Sequence, residues 1–215
     1  MRHYLPFRTL GAIFGIPTAT IHLLLHTELR TLVESCHEAH LTLNNWDEID
    51  FLEDWPQAVG IIDCTELPIN VWVQQSYSKK KSNYTLKYQV VINITTGSVL
   101  NIYGPCPGSY HDSNVYRDSQ FWLWLINNNY YLLGDRAYVG LSRMIPPIKR
   151  NNPRFSERQR NARNRKLAKT RILVENHFAQ LKKWNILYNC YRGNVNFHRN
   201  IFWACEILES MRKFY

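Results

Sequence analysis

The chain has 215 residues, of which 45% are hydrophobic and 20% are charged. This length can bury a core in one domain with room for a small appendage. No apolar run reaches the roughly 18 residues that a membrane-spanning helix needs, and we expect no signal peptide and no membrane association. The five cysteines form no CxxC pair and are odd in number, which favours free thiols over a disulfide framework.

The charge is distributed unevenly along the chain. Residues 1–58 carry three Lys/Arg and eight Asp/Glu, whereas residues 59–215 carry 23 and nine. The densest basic run, residues 143–171, holds eleven Lys/Arg and a single acid, Glu157. Such clustering favours a polyanionic partner for the second part, although a solvated basic surface is the plainer alternative.

The first 45 residues are predicted to be helical. The periodic positions Phe7, Leu10, Ile13 and Phe14 define one helix face, and Gly15-Ile16-Pro17 interrupts the pattern before Thr18, a candidate N-cap. A helix–turn–helix and a plain helical hairpin both fit this outline. We therefore divide the chain into a helix–turn–helix-like segment (1–45), an acidic connector (46–58) and a catalytic domain (59–215).

The catalytic domain begins with apolar runs typical of buried strands. The run from Ala58 ends in the carboxylate of Asp63, and the run from Tyr130 to Gly134 is followed by Asp135. Between them, residues 84–95 and 98–103 predict a β-hairpin around Thr96-Gly97, and residues 112–126 predict a helix.

Two helices are predicted toward the end of the chain. A long helix over residues 156–184 has its core side at Leu167, Val174, Phe178 and Leu181. An amphipathic tail over residues 197–215 has apolar positions at Ile201, Ala204, Leu208, Met211 and Tyr215, and we expect it to pack on the sheet. The order of elements predicts an α/β fold, a mixed sheet flanked by helices.

Carboxylates at the ends of buried strands need a physical reason, because a bare buried charge is costly unless it is paired or metal-bound. Adjacent strands would bring Asp63 and Asp135 near one hard cation, and a third carboxylate on a packed helix would complete a site for two ions. Two such ions are a general solution for displacement at phosphorus. For either aspartate alone, a loop or cap role is the simpler interpretation.

Four motifs resemble those of PIF/Harbinger-type transposases, a group of DDE superfamily endonucleases that includes transposase-derived nucleases. They occur in the same order, with 72 residues from Asp63 to Asp135 and 40 from there to Glu175. The motifs are Gly60-Ile-Ile-Asp63-Cys-Thr-Glu66, Pro107-Gly-Ser-Tyr-His-Asp112-Ser, Leu132-Leu-Gly-Asp135-Arg-Ala-Tyr138 and Arg171-x-x-Val174-Glu175.

The resemblance implies a ribonuclease-H-like fold and Mg²⁺- or Mn²⁺-dependent cleavage of DNA with two bound ions, followed in a full transposase by transfer of the freed 3′-hydroxyl. It assigns the catalytic and metal-ligand roles to Asp63, Asp135 and Glu175. Asp112 is a candidate auxiliary carboxylate, or alternatively caps the helix that follows it. Glu66, three residues after Asp63, would face the other way if the strand continues, so we do not count it as a ligand.

Basic residues near these motifs are the predicted DNA contacts, because phosphate contacts supply affinity without sequence information. They are Lys79, Lys80, Lys81, Lys87, Arg154, Arg158, Arg160, Arg163, Arg165, Lys166, Lys169 and Arg171. Three aromatic residues, Tyr84, Trp184 and Tyr188, fit base stacking or, more simply, core packing.

The segment Thr18–Arg30, the candidate recognition helix, carries few side chains that read base edges, so we predict little sequence preference. The resemblance implies a separate Myb-like DNA-binding partner and a nuclear location, with the cytoplasm as the alternative; a homodimer is a further expectation. Two alternative functions are considered. One is a catalytically silent, transposase-derived DNA-binding or scaffold protein. The other is a hydrolase of small phosphates, but such an enzyme would not need an extended basic surface.

Overall fold

The computed structural model describes residues 3–43, 51–70 and 75–212, with side chains of the first range described as far as residue 35. The chain forms two compact units, one of Met1–Asn45, Leu67–Trp72 and Ala179–Tyr215, and one of Trp46–Glu66 and Val73–Phe178. This grouping differs from the predicted boundaries, because the last 37 residues join the amino-terminal helices and the connector joins the sheet. Among the described residues, no single helix is long and apolar enough to cross a membrane; one bent pair, Phe7–Phe14 with Thr18–Ser35, meets the length and composition test.

The larger unit is built on a six-stranded mixed sheet. Strand β5 is parallel to β1 and β6 is parallel to β5, whereas β3 and β4 form an antiparallel hairpin, and β3 lies between β2 and β1. The predicted α/β class and the hairpin are confirmed. The strands are β1 (Ala58–Pro68), β2 (Tyr77–Ser78), β3 (Asn83–Asn93), β4 (Val99–Pro107), β5 (Tyr131–Leu133) and β6 (Met144–Ile145).

The β3–β4 turn is organised by the side chain of Asn93. Its Oδ1 accepts hydrogen bonds from the backbone N–H groups of Thr95 and Thr96, at 2.7 and 2.9 Å. Gly97 follows with a φ of 68°, a left-handed conformation that glycine adopts without strain. The turn therefore forms where Thr96-Gly97 indicated it.

The predicted helix over residues 112–126 is two helices in the structure, α3 (Asp112–Ser119) and α4 (Phe121–Asn127). The break is at Gln120, whose φ of 54° lies in the left-handed region. Ser119 Oγ donates to the Tyr116 carbonyl at 2.8 Å, which helps to end the first helix. No glycine or proline announces this break, so helical periodicity alone runs through it.

The long helix α5 (Glu157–Leu181) buries its predicted core side, with Leu167, Val174, Phe178 and Leu181 all at most 7% exposed. The segment 51–57 is fastened to this helix by Trp55, which is 3% exposed and donates from Nε1 to Thr170 Oγ1 at 3.2 Å. Asp54 forms an ion pair with Lys166, and the guanidinium of Arg163 lies over the Trp55 ring.

A hydrophobic cluster joins one side of the sheet to α3 and α4. Strand side chains such as Ile62 and Leu132 meet helix side chains such as Tyr116 and Leu125 there. Because β1 and β5 both contribute, the cluster fixes the strand that carries Asp63 and the strand that leads to Asp135. Its members are Val59, Ile62, Val91, Tyr116, Phe121, Leu125, Leu132, Tyr138 and Met144.

The smaller unit begins with α1 (Phe7–Phe14) and α2 (Thr18–Leu43), which are bent by 104° at their junction. This angle favours a helix–turn–helix over an antiparallel hairpin. Gly15 ends α1 in the left-handed conformation. Thr18 is the first helical residue rather than the cap, since the Pro17 carbonyl already accepts from the Ile21 N–H at 3.0 Å.

The rest of the smaller unit contains α6 (Asn185–Tyr188) and α7 (His198–Arg212), and α7 packs against α2. Ile201 and Ala204 are buried as predicted, but Met211 is 48% exposed and Tyr215 lies outside the described residues. We expected this helix to pack on the sheet and did not predict its contact with α2. Amphipathic spacing identifies which face of a helix is buried, but it does not identify the element that buries it.

Candidate active site

Asp63 and Asp135 are brought together by the pairing of two parallel strands. The register aligns Ile61 of β1 with Leu133 of β5, and each aspartate follows two residues later. Both are half-buried and lie just beyond the segment over which the two strands pair. Burial raises the pKa of the Asp63 carboxyl, the Cys64 N–H and Arg171 lower it in part, and the charges of Asp135 and Asp112 raise it further. The carboxylates are therefore close enough to interact electrostatically.

Each aspartate is held by a backbone N–H group. Cys64 N–H donates to Asp63 Oδ1 at 2.8 Å, and Ala137 N–H donates to Asp135 Oδ1 at 2.7 Å. The second bond caps the 3₁₀ turn Arg136–Tyr138. Asp135 thus does form a cap, the simpler role considered for it, while it also lies beside Asp63.

Gly134, between β5 and Asp135, allows the turn to approach the sheet closely. A Cβ there would lie 2.6 Å from the Met144 Cε and 2.9 Å from the Tyr138 ring. A larger residue would push the turn away from β6 and displace the carboxylate that follows it. The Leu-Gly-Asp pattern therefore has a steric cause.

Helix α5 contributes an arginine and the third predicted carboxylate on one face. Arg171 Nη2 lies 3.3 Å from Asp63 Oδ2, and Glu175 is one helical turn further along and exposed. Val174 and Phe178, both buried, anchor the same stretch. In the ranges that the structure describes, no three His, Cys, Asp or Glu side chains form a metal-ligand cluster, so Glu175 is on the facing helix without closing on the aspartates.

Asp112 is the first residue of α3 and forms an ion pair with Lys87 of β3. Lys87 Nζ donates to Asp112 Oδ1 at 2.7 Å and to the Tyr110 carbonyl at 2.6 Å, and lies 3.7 Å from Glu66 Oε1. Glu66 also accepts from Thr85 Oγ1 at 3.1 Å. Strand β1 does continue past Asp63, and Glu66 contacts Lys87 whereas Asp63 contacts Arg171, as strand alternation predicted.

A family comparison gives this arrangement its context. The model of the DDE superfamily endonucleases matches residues 62–209. The chain belongs to this family. Its match begins one residue before Asp63 and includes Asp135 and Glu175.

A curated relative is consistent with the family. A probable transposase for insertion sequence element IS702 of Microchaete diplosiphon is 30% identical to this chain over 140 residues, which is 62% of the chain and 49% of the relative. The chain therefore spans about half the length of the curated relative it matches. No solved structure matches the chain significantly.

Most of the predicted DNA contacts are exposed. Three lysines occupy the β2–β3 turn, and six basic residues lie on or just before α5, of which Lys166 is paired with Asp54. The exposed residues are Lys79, Lys80, Lys81, Arg154, Arg158, Arg163, Arg165, Lys166 and Lys169.

Three other predicted contacts have internal partners. Lys87 is 6% exposed, Arg171 is paired with Asp63, and Arg160 is half-buried and donates to the Arg150 carbonyl at 2.8 Å. Sequence reasoning missed the roles of Lys87 and Arg171 because their partners lie 25 and 108 residues away in the chain. A signal for Arg171 was available: it is four residues before Glu175 and so lies on the same helix face.

The three aromatic residues differ in their surroundings. Tyr84 is half-buried against the Tyr77 ring, and Trp184 donates to Glu209 at 3.2 Å. Tyr188 is 65% exposed, so core packing, the simpler prediction, does not describe it.

Proposed function

We propose that this chain is a divalent-metal-dependent DNA endonuclease of the transposase type, with Asp63, Asp135 and Glu175 as its metal ligands. The observation that carries the proposal is the parallel register that puts Asp63 and Asp135 at equivalent positions, two residues beyond the last aligned pair of the two strands. Helix α5 supports it, because its contact with Asp63 is one turn from Glu175.

The residues at this site have the chemistry of a Mg²⁺ or Mn²⁺ site. Carboxylate oxygens are the ligands that these hard cations prefer. Burial first, and then the charges of Asp135 and Asp112, raise the pKa of Asp63, and a bound cation would favour its ionised form. Two bound ions would activate the attacking oxygen and stabilise the leaving oxygen.

The protein's own contribution is to orient the carboxylates. One oxygen of Asp63 and one of Asp135 are fixed by backbone N–H groups, which limits the rotation of both side chains. Glu175, on a helix anchored by Val174 and Phe178, supplies the third carboxylate.

An extended basic surface supports DNA over a small phosphate as substrate. The exposed residues on α5 run from Arg158 to Lys169, which is three helical turns. A small substrate would contact only one or two such groups, whereas a DNA backbone presents a phosphate to each.

A plasmid-nicking assay tests the proposal. The purified chain should nick supercoiled DNA with Mg²⁺ or Mn²⁺ but not with EDTA, and the Asp135→Asn variant should not nick it. The matched control is Glu157→Gln, which removes one exposed charge at the other end of α5 and should nick like the wild type. Nicking that persists in EDTA would contradict the metal dependence, and DNA binding without any nicking would favour the silent DNA-binding or scaffold alternative.

Finer assignments belong to the same proposal. The resemblance of the four motifs supports a PIF/Harbinger-type subtype, transfer of a 3′-hydroxyl end after cleavage, a Myb-like partner and action in the nucleus, and a homodimer is proposed alongside them. Little sequence preference is expected, since the exposed face of α2 presents Leu23 and Leu24. A binding selection on random duplexes tests this point. A sharp motif that is lost when Thr20, Thr27 and Arg30 are changed to Ala would contradict it.

A further inference from the structure

The ion pair between Arg171 and Asp63 lies within the proposed metal site. Arg171 Nη2 is 3.3 Å from Asp63 Oδ2, and the two side chains are 20% and 19% exposed. The guanidinium thus supplies a positive charge next to a carboxylate that also senses Asp135 and Asp112. A divalent cation bound at Asp63 would meet a like charge at this position.

A second internal cation, Lys87, provides a contrast. Its ammonium donates to Asp112 and to the Tyr110 carbonyl and has Glu66 at 3.7 Å. Within the described part of the chain, Arg171 forms one ion pair, at 3.3 Å from Asp63, and its buried Nε has no hydrogen-bond partner. Arg171 is therefore the less firmly held of the two, and separating it from Asp63 breaks fewer contacts.

The helix relates Arg171 directly to the third carboxylate. Arg171 and Glu175 are one turn apart on the same face of α5. Any adjustment that brings Glu175 closer to the aspartates also moves the segment that carries Arg171. The position of the Arg171 guanidinium and the position of the Glu175 carboxylate therefore depend on each other, because one helix segment carries both residues.

We propose that Arg171 is the resident counter-cation of the metal-free site, and that a divalent ion displaces it from Asp63 while Lys87 stays in place. This inference rests on the proposed metal-dependent function. It makes Arg171 a positioning residue that orients the Asp63 carboxylate before the metal binds, and that competes with the metal for the same carboxylate.

Mn²⁺ titration of the DNA-free full chain, followed by calorimetry, tests the competition. The Arg171→Gln variant should bind Mn²⁺ about tenfold more tightly than the wild type, because the like charge is gone. Arg171→Lys keeps the charge and should stay close to the wild type. The control, Arg165→Gln, removes an exposed arginine from the same helix and should leave Mn²⁺ affinity unchanged.

A second measurement uses the wild-type protein, in case a variant folds poorly. The NMR signal of the Arg171 Nε–H, identified by its absence in Arg171→Lys, should shift on addition of saturating Mg²⁺. An unmoved signal, or an Arg171→Gln variant with unchanged or weaker Mn²⁺ affinity, would overturn the inference. If the wild type nicks DNA and binds Mn²⁺ in those cases, only this inference fails; if it does neither, the proposed function fails with it.

Discussion

Asp63 of β1 and Asp135 after β5 occupy equivalent positions on two neighbouring parallel strands, each two residues beyond the aligned pair Ile61 and Leu133. Parallel pairing is what makes this possible, because it brings the carboxyl ends of both strands to the same edge. Each aspartate also accepts a backbone N–H bond. The pair is thus oriented by the fold before any ligand binds.

Changing Asp63, Asp135 or Glu175 individually to Ala is expected to abolish DNA cleavage while leaving DNA affinity nearly unchanged. The reason is that metal ligands act on the reacting phosphate and contribute little to binding the rest of the backbone. Nicking assays measure the loss of cleavage, and gel-shift assays on the same preparations measure DNA affinity. Cleavage at the wild-type rate by any one variant would remove that residue from the ligand set.

The exposed basic face of α5 is expected to carry most nonspecific DNA affinity. Changing Arg158, Arg165 and Lys169 to Ala should weaken binding and reduce its salt dependence by up to about one unit of slope per lost phosphate contact. The charge-matched control changes Arg8, Arg30 and Arg199, which are exposed in the smaller unit. Equal effects of the two triple variants would mean that net charge, and not this face, attracts DNA.

Lys87 is expected to stabilise the fold rather than to bind DNA. Changing it to Met leaves Asp112 and Glu66 without their counter-ion, and the Glu66 side chain is only 10% exposed. The free energy of unfolding should therefore fall by about 3 kcal/mol. Urea denaturation measures this, with the exposed Lys81→Met as control. A loss below about 1 kcal/mol would show that the network is dispensable.

His198 is expected to make the protein sensitive to mild acid. Burial lowers the pKa of His198 from 6.5 to about 4, so the unfolded state takes up a proton at a higher pH than the folded state does. Its contribution to stability is present above pH 6.5 and is lost as the pH falls toward 4, by roughly 3 kcal/mol. His198→Phe, which keeps a ring against Tyr191, should flatten this part of the stability curve. Parallel curves for both proteins would contradict the assignment.

Sequence reasoning located the strands and α5 because their physical signals are local. An apolar run that stops at a carboxylate marks Asp63 and Asp135, and spacing near 3.6 residues marks Leu167 and Val174 as core. Strands of two residues, β2 and β6, are too short to leave such a pattern.

What could not be predicted depends on distant partners. Lys87 follows the lysines of the β2–β3 turn in sequence, yet it is internal because Asp112, 25 residues later, meets it. Arg171 was grouped with the DNA contacts for the same reason, since its partner Asp63 is 108 residues away. The sequence does not show whether a charged side chain faces solvent or pairs with a buried carboxylate.

The central claim is that Asp63, Asp135 and Glu175 hold the catalytic metal, and a crystal of the full chain soaked in Mn²⁺ tests it most directly. Anomalous difference density should appear between Asp63 and Asp135 with Glu175 in reach, and it should be absent from an Asp135→Asn crystal soaked in the same way. Density at other residues, or a crystal that takes up no Mn²⁺ at these carboxylates while the protein still nicks DNA, would contradict the account.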